Sequence, residues 1–286
     1  DELVRARLFE RNGQPDEMWF AHALIQEVAY GSLLKRRRRE LHSTAAIAIE
    51  QLWPDRLEEN LGVLAIHHRG AGDLAAAVRC HDLAADRAER LHASEEALKH
   101  HTSSIEIAGQ LGHTVADPEQ AERFLVRARL RVRTGDAPGA REDLEVVLAA
   151  EVASDVAMRA HDELGFALAG AADYRAAVPH LEAALEAAEV LQDVSEQVTA
   201  LSRLSIVHAN RLDFDAALEY GERAERAALA SGDERLQATA MDALKRSSTR
   251  SSSGKTLYFT ASAANSALSV STFSGCLMAR LLVRLK

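Results

Sequence analysis

The chain has 286 residues, of which 47% are hydrophobic and 27% charged, and its formal net charge is −9. An acidic chain lacks the basic face needed to neutralise phosphates, so we predict no nucleic-acid binding. The only cysteines, Cys80 and Cys276, lie far apart. They provide no disulfide framework and fit a reducing, cytoplasmic setting. Abundant alanine and only five prolines predict an all-α protein.

The N-terminal segment predicts two helices. Residues 1–16 are typical of a short helix that ends at Arg11-Asn12-Gly13, where a left-handed cap is possible. Met18-Trp19-Phe20 is either a short strand or the lead-in to the next helix. From Ala21 to about Leu52 we predict one long helix, stopped by Pro54. Its apolar stripe is expected to contain Leu34, Leu41, Ala45, Ala48 and Leu52.

The strongest run of charge is Lys35-Arg36-Arg37-Arg38-Arg39. Such a run is usually a solvated helix face. Five consecutive helical residues cover more than a full turn, so they cannot all face water. Because Arg38 falls on the predicted apolar stripe, we expect it to extend its charge to solvent or to pair with a carboxylate.

Helix pairs follow, beginning with 57–68 and 74–91 and continuing with a helix from Ala97 to Leu111 and the pair 118–133 and 138–150. A glycine, alanine or leucine followed by aspartate recurs at the turns. We predict that each aspartate lies at the start of a helix, where its carboxylate accepts from free backbone N–H groups. These aspartates are Asp73, Asp136, Asp173 and Asp213.

Two segments of 40 residues, 158–197 and 198–237, repeat each other. A period of this length predicts stacked helix–turn–helix units. The matched positions include Leu164/Leu204, Asp173/Asp213, Ala177/Ala217, Ala184/Ala224 and Ala188/Ala228, with Tyr174 opposite Phe214. With Gly165, Leu181 and Ser205 they resemble the tetratricopeptide repeat in its long variety, from which Gly221 departs. This resemblance implies a right-handed helical-repeat solenoid over residues 54–244, preceded by a short helical piece.

In tetratricopeptide-like stacking, the first helix of each unit lines the concave side, so we predict a protein- or peptide-binding surface there. Its candidate residues are Arg159, Asp162, Phe166, Thr199, Ser202, Arg203 and Asn210. Phe166 and Ile206 are equally compatible with a place in the core. Arg203 and Asn210 offer donors to a peptide backbone or carboxylate. Replacing both with alanine is expected to weaken binding and to leave the melting temperature nearly unchanged.

The repeat pattern stops at about Leu244, and residues 245–286 contain no Asp or Glu. We interpret this tail as low-complexity, and either disordered or the product of a reading-frame shift; a natural linker is the alternative. Ser253-Gly254-Lys255-Thr256 ends like a phosphate-binding loop but lacks the earlier glycine. The uncharged run 256–279 is too polar to insert into a membrane.

No catalytic, cofactor-binding or metal-binding residue is predicted. The twelve histidines include the doublets His67-His68 and His100-His101, and adjacent helical residues point to different faces. No paired-cysteine or His-Glu-x-x-His spacing occurs, so packed or solvated histidines are expected. No Gly-x-Ser-x-Gly occurs either.

The segment Trp19–Glu50, together with Leu64-Ala65-x-His67-His68-x-x-Ala71-Gly72, resembles a region of large bacterial signalling proteins. These are class III adenylate/guanylate cyclases fused to an AAA-like signal-transduction ATPase and helical repeats, and related LuxR-type regulators. The residues that carry the resemblance are Phe20, His22, Ala23, Gln26, Glu27, Ala29, Tyr30, Leu33, Leu34, Arg38, Leu41 and His42. The resemblance extends over about residues 3–244. It implies that residues 1–53 are the end of a winged-helix-like linker with a long helix.

The cyclase aspartates and the Walker segments of that family have no counterpart in this chain. The resemblance therefore implies a non-catalytic regulatory region, taken from a longer protein, that binds a protein, a peptide or its own ATPase and cyclase domains. Two alternatives stay open. One is a fragment of an active cyclase whose catalytic and ATPase domains lie upstream, and the other is a free-standing repeat adaptor.

Overall fold

In the computed structural model, which describes residue 4, residues 6–11 and residues 18–250, the chain opens with an antiparallel hairpin. Strand β1 (Phe9–Arg11) pairs with β2 (Met18–Phe20). Phe9 lies opposite Phe20, with ring centroids 4.4 Å apart. The helix predicted over residues 1–16 is therefore wrong at residues 9–11, because a cross-strand aromatic pair outweighs local helix propensity. The strand alternative for Met18–Phe20 is confirmed.

The long helix predicted from Ala21 to Leu52 is two helices, α1 (Ala23–Ser32) and α2 (Lys35–Leu52). Leu33 and Leu34, with ψ angles of 138° and 145°, separate them. The predicted apolar stripe is also wrong, since Leu34, Leu41 and Leu52 are exposed. Helix α2 instead buries Ala46 and Ile49, which pack with Leu64 of the next helix and thereby fix the face that turns inward.

The basic run starts α2 and is largely solvated. Arg36 and Arg37 both pair with Glu40, at 2.9 Å and 3.2 Å. Among the described residues, Arg38 forms no ion pair with a carboxylate. It is half-buried, and its guanidinium lies over the Tyr30 ring, 5.3 Å from the centroid, in a cation–π contact.

After a single 3₁₀ turn (Pro54–Arg56), ten further α-helices complete the described part of the chain. They are α3 (Leu57–Ala71), α4 (Leu74–Arg90), α5 (Ser94–Gln110), α6 (Pro118–Thr134), α7 (Ala137–Leu148), α8 (Ser154–Gly170), α9 (Tyr174–Leu191), α10 (Val194–Asn210), α11 (Phe214–Ser231) and α12 (Glu234–Arg250). Among the described helices, none combines the length and the apolar character needed to cross a membrane.

The two matched 40-residue segments fold as equivalent helix pairs, α8–α9 and α10–α11. Each helix contacts its neighbours in sequence, and α10 also packs against α12, the first helix of the next unit. Equivalent residues are buried alike, with Leu164 and Leu204 2% and 0% exposed, and Ala177 and Ala217 both 0%. One core runs continuously from α6 to α12. The fold is the predicted all-α, tetratricopeptide-like helical-repeat solenoid.

The four recurring aspartates cap helices as predicted. The carboxylates of Asp73, Asp136, Asp173 and Asp213 accept from the backbone N–H three residues later. The residue before each aspartate has a positive φ between 61° and 89°. Gly72 and Gly135 adopt this conformation without a steric penalty, whereas alanine and leucine occupy it in the two matched units. The backbone conformation of the turn is therefore retained in the two matched units, although alanine and leucine adopt a positive φ less readily than glycine does.

The pairing of the early helices differs from the sequence prediction, which placed 57–68 and 74–91 in one unit. First and second helices alternate along the chain, and α12 is the first helix of its unit. Counted backwards from α12, α4 is therefore a first helix and α5 is the second helix of the same unit. Side-chain pairs agree with this assignment. His81–His100 joins α4 to α5 in the way that His161–His180 joins α8 to α9, at a shift of two 40-residue periods. The Gly72-Asp73 turn therefore connects two units.

The repeat packing continues beyond Leu244, the predicted boundary of the tail. Gly221 lacks a side chain because Leu244 of α12 occupies the space, 2.7 Å from where a Cβ would stand. Three residues further on, Ser247 is 1% exposed and its hydroxyl lies 2.8 Å from that of Ser205. Helix α12 extends to Arg250. The rest of the predicted tail, with the Ser253–Thr256 motif and the run 256–279, lies outside the described residues.

Candidate interaction face on the first helices

The first helices α4, α6, α8 and α10 carry a polar residue at one repeated position, spaced by 40 residues. The residues are Asp82, Glu122, Asp162 and Ser202. We call the surface around them the first-helix face. This series was not predicted from the sequence, although aligning the chain with itself at shifts of 40 and 80 residues brings these positions together.

Each of the three acidic residues pairs with an arginine of the following first helix. Arg123 Nη2 donates to Asp82 Oδ2 at 2.7 Å. Arg159 Nη1 donates to Glu122 Oε2 at 2.7 Å, and Arg203 Nη1 to Asp162 Oδ2 at 2.6 Å. Successive units are thus joined by a ladder of arginine–carboxylate pairs. At Ser202 the ladder ends, and the buried hydroxyl has no hydrogen-bond partner.

The structure brings three of the predicted site residues together. Arg203 is paired with Asp162, and its guanidinium also lies over the Phe166 ring, 4.4 Å from the centroid. Arg203 is therefore not the free cationic fork that the sequence suggested. Phe166 is 44% exposed, which favours the surface alternative over the core.

The remaining predicted residues differ in accessibility. Ser202 is 3% exposed and therefore closed to a partner. Arg159 is bound to Glu122, and Thr199 donates to the Ser195 carbonyl within its own helix. The amide of Asn210 is half-buried and makes no side-chain hydrogen bond to the described residues. Phe166 and Asn210 thus remain the most available of the set.

Asp162 is the most unusual group on this face. It is 4% exposed, Arg203 engages only Oδ2, and Oδ1 has no hydrogen-bond partner. Burial raises the pKa of Asp162 to about 7, against the opposing effect of Arg203. Burial also raises the pKa of the nearby Glu196 carboxyl. Both groups are therefore acids held in an environment that disfavours their charge.

A small cavity of about 70 Å³ lies at this position, between α6, α8 and α10. Leu125 provides its apolar wall, and its polar lining consists of Arg129, Arg159, Asp162, Glu163 and Glu196. We call this cavity the Asp162 niche.

A larger cleft of about 700 Å³ lies between α3, α4 and α5 and reaches Tyr30 and His42. Its lining carries both signs of charge, with Glu58, Glu59 and Glu96 alongside Arg69, Arg87 and Lys99. The volume falls in the range of small-molecule sites. No side chain in its lining is a buried polar group without a partner.

Histidine pairs join successive helices at three places. The Nδ1 atoms lie 3.0 Å apart in His42–His67, His81–His100 and His161–His180. At this distance one ring donates and the other accepts, so at least one histidine of each pair is neutral. Burial, followed by the neighbouring histidine, lowers the pKa of His81 to about 4. No cluster of three or more metal-ligating side chains occurs among the residues that the structure describes.

No protein-family model and no curated protein sequence matches the chain. Several solved structures are similar in fold. YrrB, "a TPR protein with an unusual peptide-binding site", is 16% identical over 77% of this chain and 96% of its own, with a TM-score of 0.46. The Rap protein complexed with Competence and Sporulation Factor is 14% identical over 77% of this chain and 67% of its own, with a TM-score of 0.48. BtubC from P. vanneervenii is 16% identical over 80% of this chain and 96% of its own, with a TM-score of 0.46.

Proposed function

We propose that this chain is a non-catalytic protein- or peptide-binding region whose partner contacts the first-helix face. The observation that carries the proposal is the group formed by Phe166, Arg203 and Asp162. It presents a half-exposed aromatic ring against an arginine that is paired with a buried carboxylate. Exposed aromatic rings stacked with arginine are frequent anchors in interfaces.

We further propose that the region regulates a multidomain signalling ATPase, nucleotide cyclase or LuxR-type regulator. The resemblance of Trp19–Glu50 to that family supports this proposal. So does the β1–β2 hairpin ahead of α1, since an antiparallel hairpin suits the end of a winged-helix-like linker. In that setting the partner is an ATPase or cyclase domain of the same protein. A free-standing adaptor would instead bind a separate protein, and the sequence upstream of Asp1 distinguishes the two.

The interaction face is tested with peptides selected from a random phage-displayed library on the immobilised chain. For a selected peptide, we expect Phe166→Ala to weaken binding by about tenfold or more, because the variant removes a half-exposed anchor. Asn210→Ala should have a smaller effect in the same direction. The matched control is Val190→Ala, which removes a side chain that is 78% exposed on the second helix α9. Isothermal titration calorimetry gives the affinities, and equal Kd values for all three variants would place binding on another face.

The absence of activity is tested separately. We expect the purified chain neither to hydrolyse ATP nor to form cyclic nucleotides, because no phosphate-binding loop or cyclase aspartate pair is recognisable in the sequence. The measurement is phosphate release and cyclic-nucleotide production in parallel with a mock purification. Turnover well above the mock sample would contradict the non-catalytic proposal.

A further inference from the structure

The cleft of about 700 Å³ opens between α3 and α5, the two helices that pack on either side of α4. None of the four residues that define the first-helix face lines it. Its apolar surface comes from Val63 and Ile66, both exposed on α3, and from Ala84, buried on α4. The cleft is therefore a second concave surface, separate from the one where we place the protein or peptide partner.

The positive charges of the cleft are unpaired, whereas most of its negative charges are not. Its three cations, Arg69, Arg87 and Lys99, form no ion pair and no side-chain hydrogen bond with the residues that the structure describes. Two of its three carboxylates are engaged by arginines outside the lining. Glu59 pairs with Arg56 at 2.6 Å, and Glu58 with Arg90 at 3.6 Å.

Only Glu96 of the lining has no arginine partner. The nearest basic group is His100 Nε2 at 4.0 Å, and burial lowers the pKa of that ring, so it is neutral at pH 7. Three unpaired cations therefore stand against one carboxylate. The whole chain has a net charge of −9, so this excess of positive charge is a local property of the cleft.

Arg87 is the most informative of the three cations, because it is half-buried on α4 and has no partner. The residues 80 and 120 positions later are Ala167 and Val207, which are 5% and 1% exposed. Repeat packing is thus satisfied by an apolar side chain at this position and does not need the guanidinium. A partly desolvated charge without a counter-ion costs free energy, which an anion in the cleft would offset.

The other buried or half-buried arginines show how unusual Arg87 is. Among the residues whose burial the structure describes, each of them contacts a carboxylate or an aromatic ring; they are Arg38, Arg123, Arg127, Arg131, Arg159, Arg203 and Arg223. A further donor lies beside Arg87 in the lining. The hydroxyl of Ser103, one turn after Lys99 on α5, is half-buried and makes no hydrogen bond to the described residues.

From the unpaired cations, the half-buried Arg87 and the volume of the cleft, we infer that it binds a small organic anion through a carboxylate or a phosphate group. The planar guanidinium of Arg87 offers two parallel N–H donors to either group, and Lys99 and Ser103 add an ammonium and a hydroxyl. The volume exceeds what the anionic group needs and falls in the range of small-molecule sites. The rest of the ligand therefore lies against Val63 and Ile66.

The test uses the full chain with labelled isoleucine methyl groups, because Ile66 lines the cleft and reports on its contents. Three probes of one shape are titrated: 2-naphthoate, 2-naphthyl phosphate and 2-naphthamide. The first two present a carboxylate and a phosphate, and the third is the uncharged counterpart of naphthoate. We expect at least one anion to shift the Ile66 methyl signal with an affinity about tenfold or more above that of naphthamide, since charge-assisted hydrogen bonds are the stronger ones.

Variants separate the cleft from general attraction of anions. Arg87→Gln should lower the affinity for the bound anion by about tenfold and leave that for naphthamide unchanged. It should not lower the free energy of unfolding, because Arg87 has no partner in the fold. Lys99→Gln, at an exposed position, should cost roughly threefold and provides a second variant. The matched control is Arg79→Gln, which removes the same charge from an exposed site on α4 outside the cleft and should leave the affinity unchanged.

The inference is overturned if naphthamide binds as tightly as both anions, or if neither anion shifts the Ile66 signal at about 10 mM. Full affinity in both Arg87→Gln and Lys99→Gln, or an equal loss in Arg79→Gln, would also overturn it. Binding of naphthoate alone, or of naphthyl phosphate alone, supports it and identifies the anionic group. The proposed protein- or peptide-binding function does not depend on this result, because its test relies on Phe166 and Asn210.

Discussion

Replacing Arg203 with alanine should destabilise the protein by roughly 3 kcal/mol at alkaline pH, because Asp162, whose pKa is raised to about 7, is then a buried carboxylate without a counter-ion. The side chains of Arg203 and Asp162 are only 23% and 6% exposed, and their contact is 2.6 Å. Urea unfolding followed by circular dichroism measures the loss. This expectation replaces the earlier one that Arg203→Ala would leave the melting temperature nearly unchanged, which assumed a solvent-facing arginine.

Two controls separate the ion pair from the loss of packing on Phe166. The double variant Arg203→Ala/Asp162→Asn should recover much of the stability, since no charge remains buried. The loss in Arg203→Ala should grow as the pH rises above 7, because the carboxylate then ionises without its partner. If the single and double variants are equally unstable at all pH values, packing rather than charge accounts for the effect.

Acid should progressively destabilise this protein as the pH falls below about 6.5, because burial keeps five of its paired histidines neutral in the folded state. Burial is the first cause that lowers the pKa of His67, His81, His100, His161 and His180. The unfolded chain binds protons at about pH 6.5, and folded His81 only at about pH 4. Between these values the unfolded state holds more protons, so stability is complete above pH 6.5 and is lost as the pH falls. His81 by itself accounts for a loss of about 3 kcal/mol.

The charged groups around these histidines modify the effect. Arg69 lowers and Asp82 raises the pKa of His81, and Arg141 and Glu145 act in the same two directions on the pKa of His180. Glu96 raises the pKa of His100. Asp162 acts in the reverse direction. Its raised pKa gives stability that is present at low pH and is lost as the pH rises through about 7.

The measurement is the free energy of unfolding in urea at pH 7.5, 6.5, 5.5 and 4.5. We expect a continuous decrease across this series and a steeper one in Asp162→Asn, where the opposing group is absent. A variant with His81→Gln and His100→Gln should begin less stable at pH 7.5 and lose less on acidification. If the free energy of unfolding were unchanged between pH 7.5 and 4.5, the prediction that these histidines are neutral in the folded protein would be wrong.

The sequence by itself determined the elements that depend on local chemistry and on the repeat. The 40-residue period predicted the equivalent pairs α8–α9 and α10–α11, because each unit must bury the same alanine and leucine positions against its neighbours. The aspartate caps were predictable for a similar reason. An Asp ahead of a helical segment finds its backbone partners three residues along the chain, whatever lies elsewhere.

Tertiary structure alone decided features that depend on contacts between distant residues. The Phe9–Phe20 contact made strands of a segment with helical propensity, and the packing of Ala46 and Ile49 on Leu64 selected the buried face of α2. Contacts between distant residues also determined which candidate site residues are free to bind a partner. Arg203 meets Asp162 only after two units have stacked, 41 residues apart, and this contact turned a predicted surface donor into the partner of a buried carboxylate. Sequence specified which polar groups the first helices carry, whereas stacking of the units specified which of them are already satisfied and left Asp162 Oδ1 free.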